Sequence, residues 1–344
     1  MKIKTTQKAA ALLCTVALLL AGCGGNTAQS GVGGLPQVVN IGTQQIPNDE
    51  ALAAAKGYFE QEMGVKVNIV EFQAGDIRNA MISKDIDFAM LGSSSAILGV
   101  ANGMDVQLVW VHEVLGSAEQ LVAREGSGIK TIQDLKGKKV ATPFTSTAHY
   151  SLLNALKLNG IDEADVTLLD MQMPDIYAAW QRGDIDAAYG WEPTLSKLLE
   201  SGTSLLTSAD LAAQGVITAN VEIVRSEFAQ QYPQLVAGYI RAVDRAVQLY
   251  RQNPDDAVAT VAQAMGLTQQ EAETQMQGSI WLTAAEQLSP DYLGTSAQKG
   301  HFVEVAKDTA DFLYSQKSLM SQPDAAVFEQ FVNPAYLEQA VKPS

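Results

Sequence analysis

Two hydroxyl clusters stand out as candidate chemistry, Gly92-Ser93-Ser94-Ser95 and Thr145-Ser146-Thr147, each placed between a short apolar run and a helical pattern. A helix start leaves backbone N–H groups without intrahelical partners, and its dipole favours negative charge. Serine and threonine there add O–H donors, and glycine lets a ligand approach the backbone, so both clusters are candidate anion cradles. Ordinary N-capping is the alternative for each. Neutral donors suit a sulfonate, whose charge is spread over three oxygens and which has no proton to donate. A more basic phosphate would recruit arginine. Arg78, Arg124 and Arg182 are the arginines nearest these loops, and Arg182 before Gly183 reads as decoration of a helix end.

Other chemistries lack their residues. His112, His149 and His301 lie far apart without metal-ligand spacing, so no metal site is expected. The two cysteines, Cys14 and Cys23, both lie near the amino terminus, leaving no thiol beyond them for a disulfide, a metal or a nucleophile. Hydrolase elbow, phosphate-loop and dinucleotide fingerprints are absent, and no cofactor is expected. Asp184 and Asp186 read as solvated residues at a strand start. A net charge of -15 repels phosphate backbones, so nucleic acid is excluded as a partner, and any anionic ligand must be drawn by local dipoles.

The elements that must position these clusters follow from periodicity. Lys2, Lys4 and Lys8 precede an apolar run from Ala9 to Leu20, then Leu20-Ala21-Gly22-Cys23. Such a segment, too short to span a bilayer, is a lipoprotein-type export signal over residues 1–22, with lipidation expected at Cys23. Residues 23–35 read as a glycine-rich tether. Strands are expected at 38–42, 65–70 and 86–90, with helices at 48–63 and 77–84 between them. A second set has strands at 139–142, 166–169 and 185–189, a Thr131-capped turn, and helices at 147–158 and 174–182. From about Val221 helices dominate: 226–231, 233–251, 254–265, 268–277 and 300–315. The βαβαβ alternation predicts an α/β architecture of largely parallel sheets flanked by helices. Its length predicts two lobes, 36–124 with 219–344 and 125–218, joined by crossings near Ala123–Ser127 and Ala219–Val224 that form a natural hinge. Ligands in such sheets sit beyond the carboxyl ends of strands, which also brings Gln44, His149, Trp191 and Glu192 into consideration.

Three stretches carry a resemblance: Thr145-Ser146-Thr147-Ala148-His149-Tyr150-Ser151-Leu152-Leu153, Ala178-Ala179-Trp180-Gln181-Arg182-Gly183-Asp184-Ile185-Asp186-Ala187-Ala188-Tyr189, and Leu91-Gly92-Ser93-Ser94. They resemble the taurine-binding proteins of ABC importers, in order and spacing over roughly residues 36–315. Asp134-Leu135-Lys136-Gly137-Lys138 is shared more widely, with sulfonate-, nitrate- and pyrimidine-binding relatives. The resemblance implies a two-lobed, type II periplasmic-binding-protein-like fold with mixed sheets. It implies an exported monomer on a bacterial membrane that binds a small sulfonate and serves a permease and ATPase. It places Gln44, Ser93, Ser94, Ser146, Thr147 and His149 in the pocket, Trp191 as an apolar wall, and Glu119 opposite the taurine ammonium. Asn220 stands where the family is expected to show aspartate. Glu192 either compensates for that carboxylate or simply starts a helix before Pro193. Alkanesulfonate, nitrate or a pyrimidine precursor are the rival ligands, and an enzyme on the same scaffold is the rival class.

Overall fold

The computed structural model describes residues 34–342, so the signal, Cys23 and most of the expected tether lie outside the described residues. Eleven strands are described: β1 (Val38–Thr43), β2 (Lys66–Glu71), β3 (Phe88–Gly92), β4 (Val106–Leu115), β5 (Glu119–Arg124), β6 (Lys139–Thr142), β7 (Thr167–Asp170), β8 (Ala187–Trp191), β9 (Gly202–Thr207), β10 (Ala219–Arg225) and β11 (Ser279–Ile280). They form a six-stranded sheet, β11-β4-β10-β3-β1-β2, and a five-stranded sheet, β7-β6-β8-β5-β9. Within each, the βαβ strands pair in parallel, β1 with β2 and β3, β6 with β7 and β8. The strands that carry the chain between lobes run antiparallel to them: β10 beside β3 and β4, β5 beside β8 and β9. Both sheets are therefore mixed.

Residues 119–124 were expected in the first lobe, and the pairing of β5 corrects this. Glu119 sits opposite Trp191 and Arg124 opposite Gly202, both in the second sheet. The first crossing is the turn 116–118, several residues before Ala123–Ser127. It is tight because Gly116 and Gly278 approach closely, a Cβ on Gly116 falling 2.7 Å from the Gly278 carbonyl oxygen. The lobes also share packing: Phe312, on the helix Phe302–Ser315, sits edge-on to Tyr150 of the second lobe at 5.1 Å.

The expected helix 48–63 is two helices, Asp49–Ala55 and Tyr58–Met63. Gly57 adopts φ 68 between them, a left-handed conformation that ends one helix and starts the next. Asn48 caps the first, its side chain accepting from the Glu50 and Ala51 N–H groups. The longest helix, Pro233–Gln252, buries Val236, Ile240, Val243 and Val247 along one face. Gly238, on the opposite side of the same helix, lets it lie directly on Tyr58–Met63, where a Cβ would come 2.9 Å from the Glu62 carbonyl oxygen.

Under the first sheet lies a polar network excluded from solvent. His112 contacts Asp49 Oδ1 through Nδ1 at 2.7 Å and Glu222 Oε2 through Nε2 at 2.9 Å. Trp110 donates to Asp49 at 2.8 Å, and Thr43 donates to Glu50. The Tyr239 hydroxyl is 2.7 Å from both Glu50 Oε1 and Glu222 Oε2. One hydroxyl proton cannot serve two carboxylates, so one of these acids holds a proton of its own. Burial raises both, Glu222 to about 8. Burial works against charge on His112 as well, but Asp49, Glu222 and Glu50 outweigh it and hold the ring cationic. Ligand atoms of Glu50, His112 and Glu222 lie within 4.8 Å of one another, a proximity invisible in their sequence spacing. With both ring nitrogens engaged, His112 acts as the counter-ion of this network.

Removing that cation leaves buried carboxylates uncompensated, so His112→Leu should cost about 3–5 kcal/mol of stability in urea unfolding. A loss below about 1 kcal/mol would show that the network carries its negative charge without the imidazolium.

Candidate ligand site between the lobes

The carboxyl ends of β1, β3, β6 and β8 converge on one cleft between the sheets. Gln44, Gly92, Ser95, Glu119, Thr147 and Trp191 line it together with Ile46, Leu115, Phe144, Thr145, Ser146 and Asn220, around about 440 Å³ of unfilled space. The helix Ser93–Ala101 starts on one side and Thr147–Leu158 on the other. A Cβ on Gly92 would fall 2.8 Å from Thr147 Cγ2, so only glycine lets the two helix starts approach this closely.

Of the residues expected to bind, Gln44, Glu119, Ser146, Thr147, Trp191 and Asn220 reach this cleft. Gln44 is held by donating to the Met90 carbonyl at 3.2 Å. Ser146 is the N-cap of its helix, accepting from the His149 N–H at 3.2 Å. Its own proton goes to the Pro143 carbonyl at 2.6 Å, and the Thr147 proton goes to Glu119. These two hydroxyls are thus already committed. What their cluster offers an anion is the backbone N–H groups of the first helical turn.

Ser93, Ser94 and His149 are set back from the cleft. Ser93 accepts from the Ala219 N–H at 3.3 Å, linking β10 to the helix start after β3, and the buried Ser94 hydroxyl has no partner among the described residues. His149 stacks on Phe144 at 4.3 Å and accepts from the Thr145 N–H at 3.3 Å. Burial pushes its pKa down to about 4, so the ring is neutral and props the loop. Thr145 in that loop has φ 63, a conformation disfavoured for a β-branched residue and held by these contacts. Glu192 faces cavities flanking the cleft, and its carboxylate accepts from Ser196 N at 3.0 Å and Ser196 Oγ. The helix-start role therefore describes its contacts.

Ser95 belongs to the cleft, although the sequence reading favoured its two predecessors. Arg78 donates to its Oγ at 3.3 Å, which leaves the Ser95 proton free for the cleft. A guanidinium thus stands behind a neutral donor. Arg78 is among the arginines nearest these loops in the sequence, but its contact with Ser95, 17 residues on, is not readable there. The second residue missed is Glu113, which receives the Asn220 amide at 2.6 Å.

Glu119 is the electrostatic centre of the cleft. It is fully buried, and its partners are all hydroxyls: Thr147 on Oε2, Ser208 and Ser151 on Oε1 at 2.7 and 3.4 Å. Burial raises its pKa to about 7, more than these donors lower it, and nearby Glu113 adds to the rise. Glu113 is likewise raised to about 7 by burial, the Asn220 amide and His112 recovering only part.

A carboxyl with a raised native pKa contributes stability that is complete below the unfolded value, near 4.5, and disappears as pH rises through about 7. His149, with its pKa depressed, works in the opposite sense below 6.5. Glu119→Gln removes one contributor and leaves the others, so its melting temperature should fall less between pH 5 and pH 7.5 than that of the unaltered, ligand-free protein. Parallel pH profiles for the two would show that Glu119 is ionised throughout.

The NMT1/THI5 like family model matches residues 50–257. The taurine-binding periplasmic protein of Escherichia coli K12 is 33% identical over 285 residues, which is 81% of this chain and 86% of that protein. Among solved structures, the periplasmic aliphatic sulphonate binding protein SsuA of Escherichia coli superposes with a TM-score of 0.71 at 25% identity, covering 86% of this chain and 92% of that one. The alkanesulfonate-binding protein SsuA of Xanthomonas axonopodis pv. citri, bound to MOPS, shares the fold with a TM-score of 0.72 at 24% identity, over 85% and 98% of the two chains. All three are named for binding, none for turnover. The cleft lies between the lobes of a two-lobed binding-protein fold, and the chain belongs to the NMT1/THI5 like family.

Proposed function

We propose that this chain is the extracytoplasmic binding protein of an ABC importer, and that it holds taurine or a similar small sulfonate between its lobes. One observation carries the reading: a single cleft presents anion-suited helix starts beside a buried carboxylate that has no cation of its own. Such a site suits a ligand with an anion at one end and a cation at the other. Trp191, Phe144, Leu115 and Ile46 supply apolar walls for the carbons between. The sulfonate meets the Ser95 hydroxyl, with Arg78 behind it, and the first-turn N–H groups of both helices. Glu119 pairs with the ammonium, and Gln44 and Asn220 border the ligand. The same reading makes the chain a monomer that binds without turnover and docks on a permease with its ATPase.

Calorimetric titration with taurine, ethanesulfonate, a longer alkanesulfonate and nitrate tests this reading. Taurine should bind best. Ser95→Ala should weaken every sulfonate by a similar factor, since removing a donor to an ionised group costs roughly 1.5–3 kcal/mol, about tenfold or more in affinity. Nitrate binding with no sulfonate binding would overturn the assignment, as would turnover of a sulfonate seen by mass spectrometry.

The membrane link belongs to the same proposal. Among the described residues no helix is long and apolar enough to cross a membrane. The basic and apolar segment before Leu20-Ala21-Gly22-Cys23 supports lipidation at Cys23 instead. Cys23→Ser should move the protein from the membrane fraction to the soluble fraction. Unaltered protein recovered without lipid and still bearing Met1 would rule the anchor out.

A further inference from the structure

A second cavity opens from the main cleft across Ile46, Leu115, Trp191 and Asn220, which line both. Its far wall is made by Glu113, Glu192 and Gln275. The polar chemistry of that wall is one-sided. The Gln275 Oε1 atom is buried and has no hydrogen-bond partner among the described residues, and the residue is only 4% exposed. Glu113 is 3% exposed; Asn220 Nδ2 donates to it at 2.6 Å, and the buried Ser279 hydroxyl, without another partner among the described residues, lies near enough to act on its carboxylate. Because that amide donates to a carboxylate, its Oδ1 is left as a further acceptor. No lysine, arginine or histidine lines the cavity.

Acceptors buried together with too few donors are costly, each unsatisfied group losing its hydration for nothing in return. The arrangement is stable with a donor in place, and a buried carboxylate beside it selects a cationic donor. Glu119 has three hydroxyls on its two oxygens, whereas Glu113 has one amide and the nearby Ser279 hydroxyl, so Glu113 keeps the greater free capacity. The change from an expected aspartate to Asn220 fits the same picture: the amide orients Glu113, and the negative charge of this wall resides there.

We propose that this side cavity is a subsite for the primary ammonium of an aminoalkanesulfonate longer than taurine, with Glu113 as its counter-charge and Gln275 Oε1 as a neutral acceptor. The inference rests on the sulfonate reading of the main cleft and extends it: the site accepts taurine against Glu119 and a three-carbon homologue against Glu113.

Calorimetry with the three-carbon aminosulfonate homotaurine and with propanesulfonate, which lacks the amine, tests the subsite. The unaltered protein should prefer homotaurine by about tenfold or more. Glu113→Gln and Gln275→Leu should each cut that preference about tenfold, while propanesulfonate affinity stays within about threefold and certifies that each variant is folded. A preference untouched in both variants, or a propanesulfonate affinity equal to that of homotaurine in the unaltered protein, overturns the subsite and leaves the taurine reading standing. If taurine, homotaurine and propanesulfonate all fail to bind, the sulfonate reading falls and the subsite with it.

Discussion

A fully buried carboxylate with only hydroxyls for company is the constraint around which this molecule is arranged. The first lobe shows how the same chain handles buried acids for stability alone. Asp49, Glu50 and Glu222 share the His112 cation and accept hydrogen bonds from Trp110, Tyr239 and Thr43, and none lines the cleft. Glu119 is different. It faces the cleft, and among the described residues no side chain of opposite charge is bonded to it. Truncating one partner of a buried charge pair costs several kcal/mol, so the proposed function gives this unpaired group its partner in the arriving ligand. Until then a proton takes that place.

The rest of the site follows from keeping this carboxylate dry and aligned. β5 carries Glu119 immediately after the crossing at 116–118, so its position relative to the first lobe is set at the hinge itself. Thr147 bonds Glu119 with its hydroxyl while its methyl group packs against Gly92 of the opposite lobe. The helix start whose N–H groups face the cleft therefore also clamps Glu119. Ser146 and His149 stabilise the loop before that start, through the Pro143 carbonyl and the Phe144 ring.

Much of this was legible in the sequence, and what was hidden had physical reasons. The two βαβ sets, the helix starts at Ser93 and Thr147, and the capped turn at Thr131 all follow from local pattern, which local chemistry determines. β4 and β10 escaped because both faces of each are covered: Val106–Leu115 and Ala219–Arg225 are mostly buried and lack the alternation of a half-exposed strand. Missing β5 as a strand moved the hinge into the wrong place. The identity of the cleft hydroxyls was readable, but not which acceptor takes each proton. Ser146 and Thr147 turned out to be committed inside the protein, and Ser95 to be free because Arg78 occupies its lone pair. Glu113 lay unnoticed in a strand. An acid two residues before an apolar strand end, beside a histidine, was the one available signal, and only strand pairing with Asn220 gives it meaning.

The central claim is that Glu119 reads the cation of a two-ended ligand. Its most direct test measures taurine and ethanesulfonate affinity in the unaltered protein and in Glu119→Gln, the ligand supplying one side of a double-mutant cycle. The account predicts that Glu119→Gln weakens taurine about tenfold or more and leaves ethanesulfonate unchanged or slightly tighter, because only taurine loses an ion pair. Equal losses for the two ligands would contradict it and make Glu119 a support of the fold.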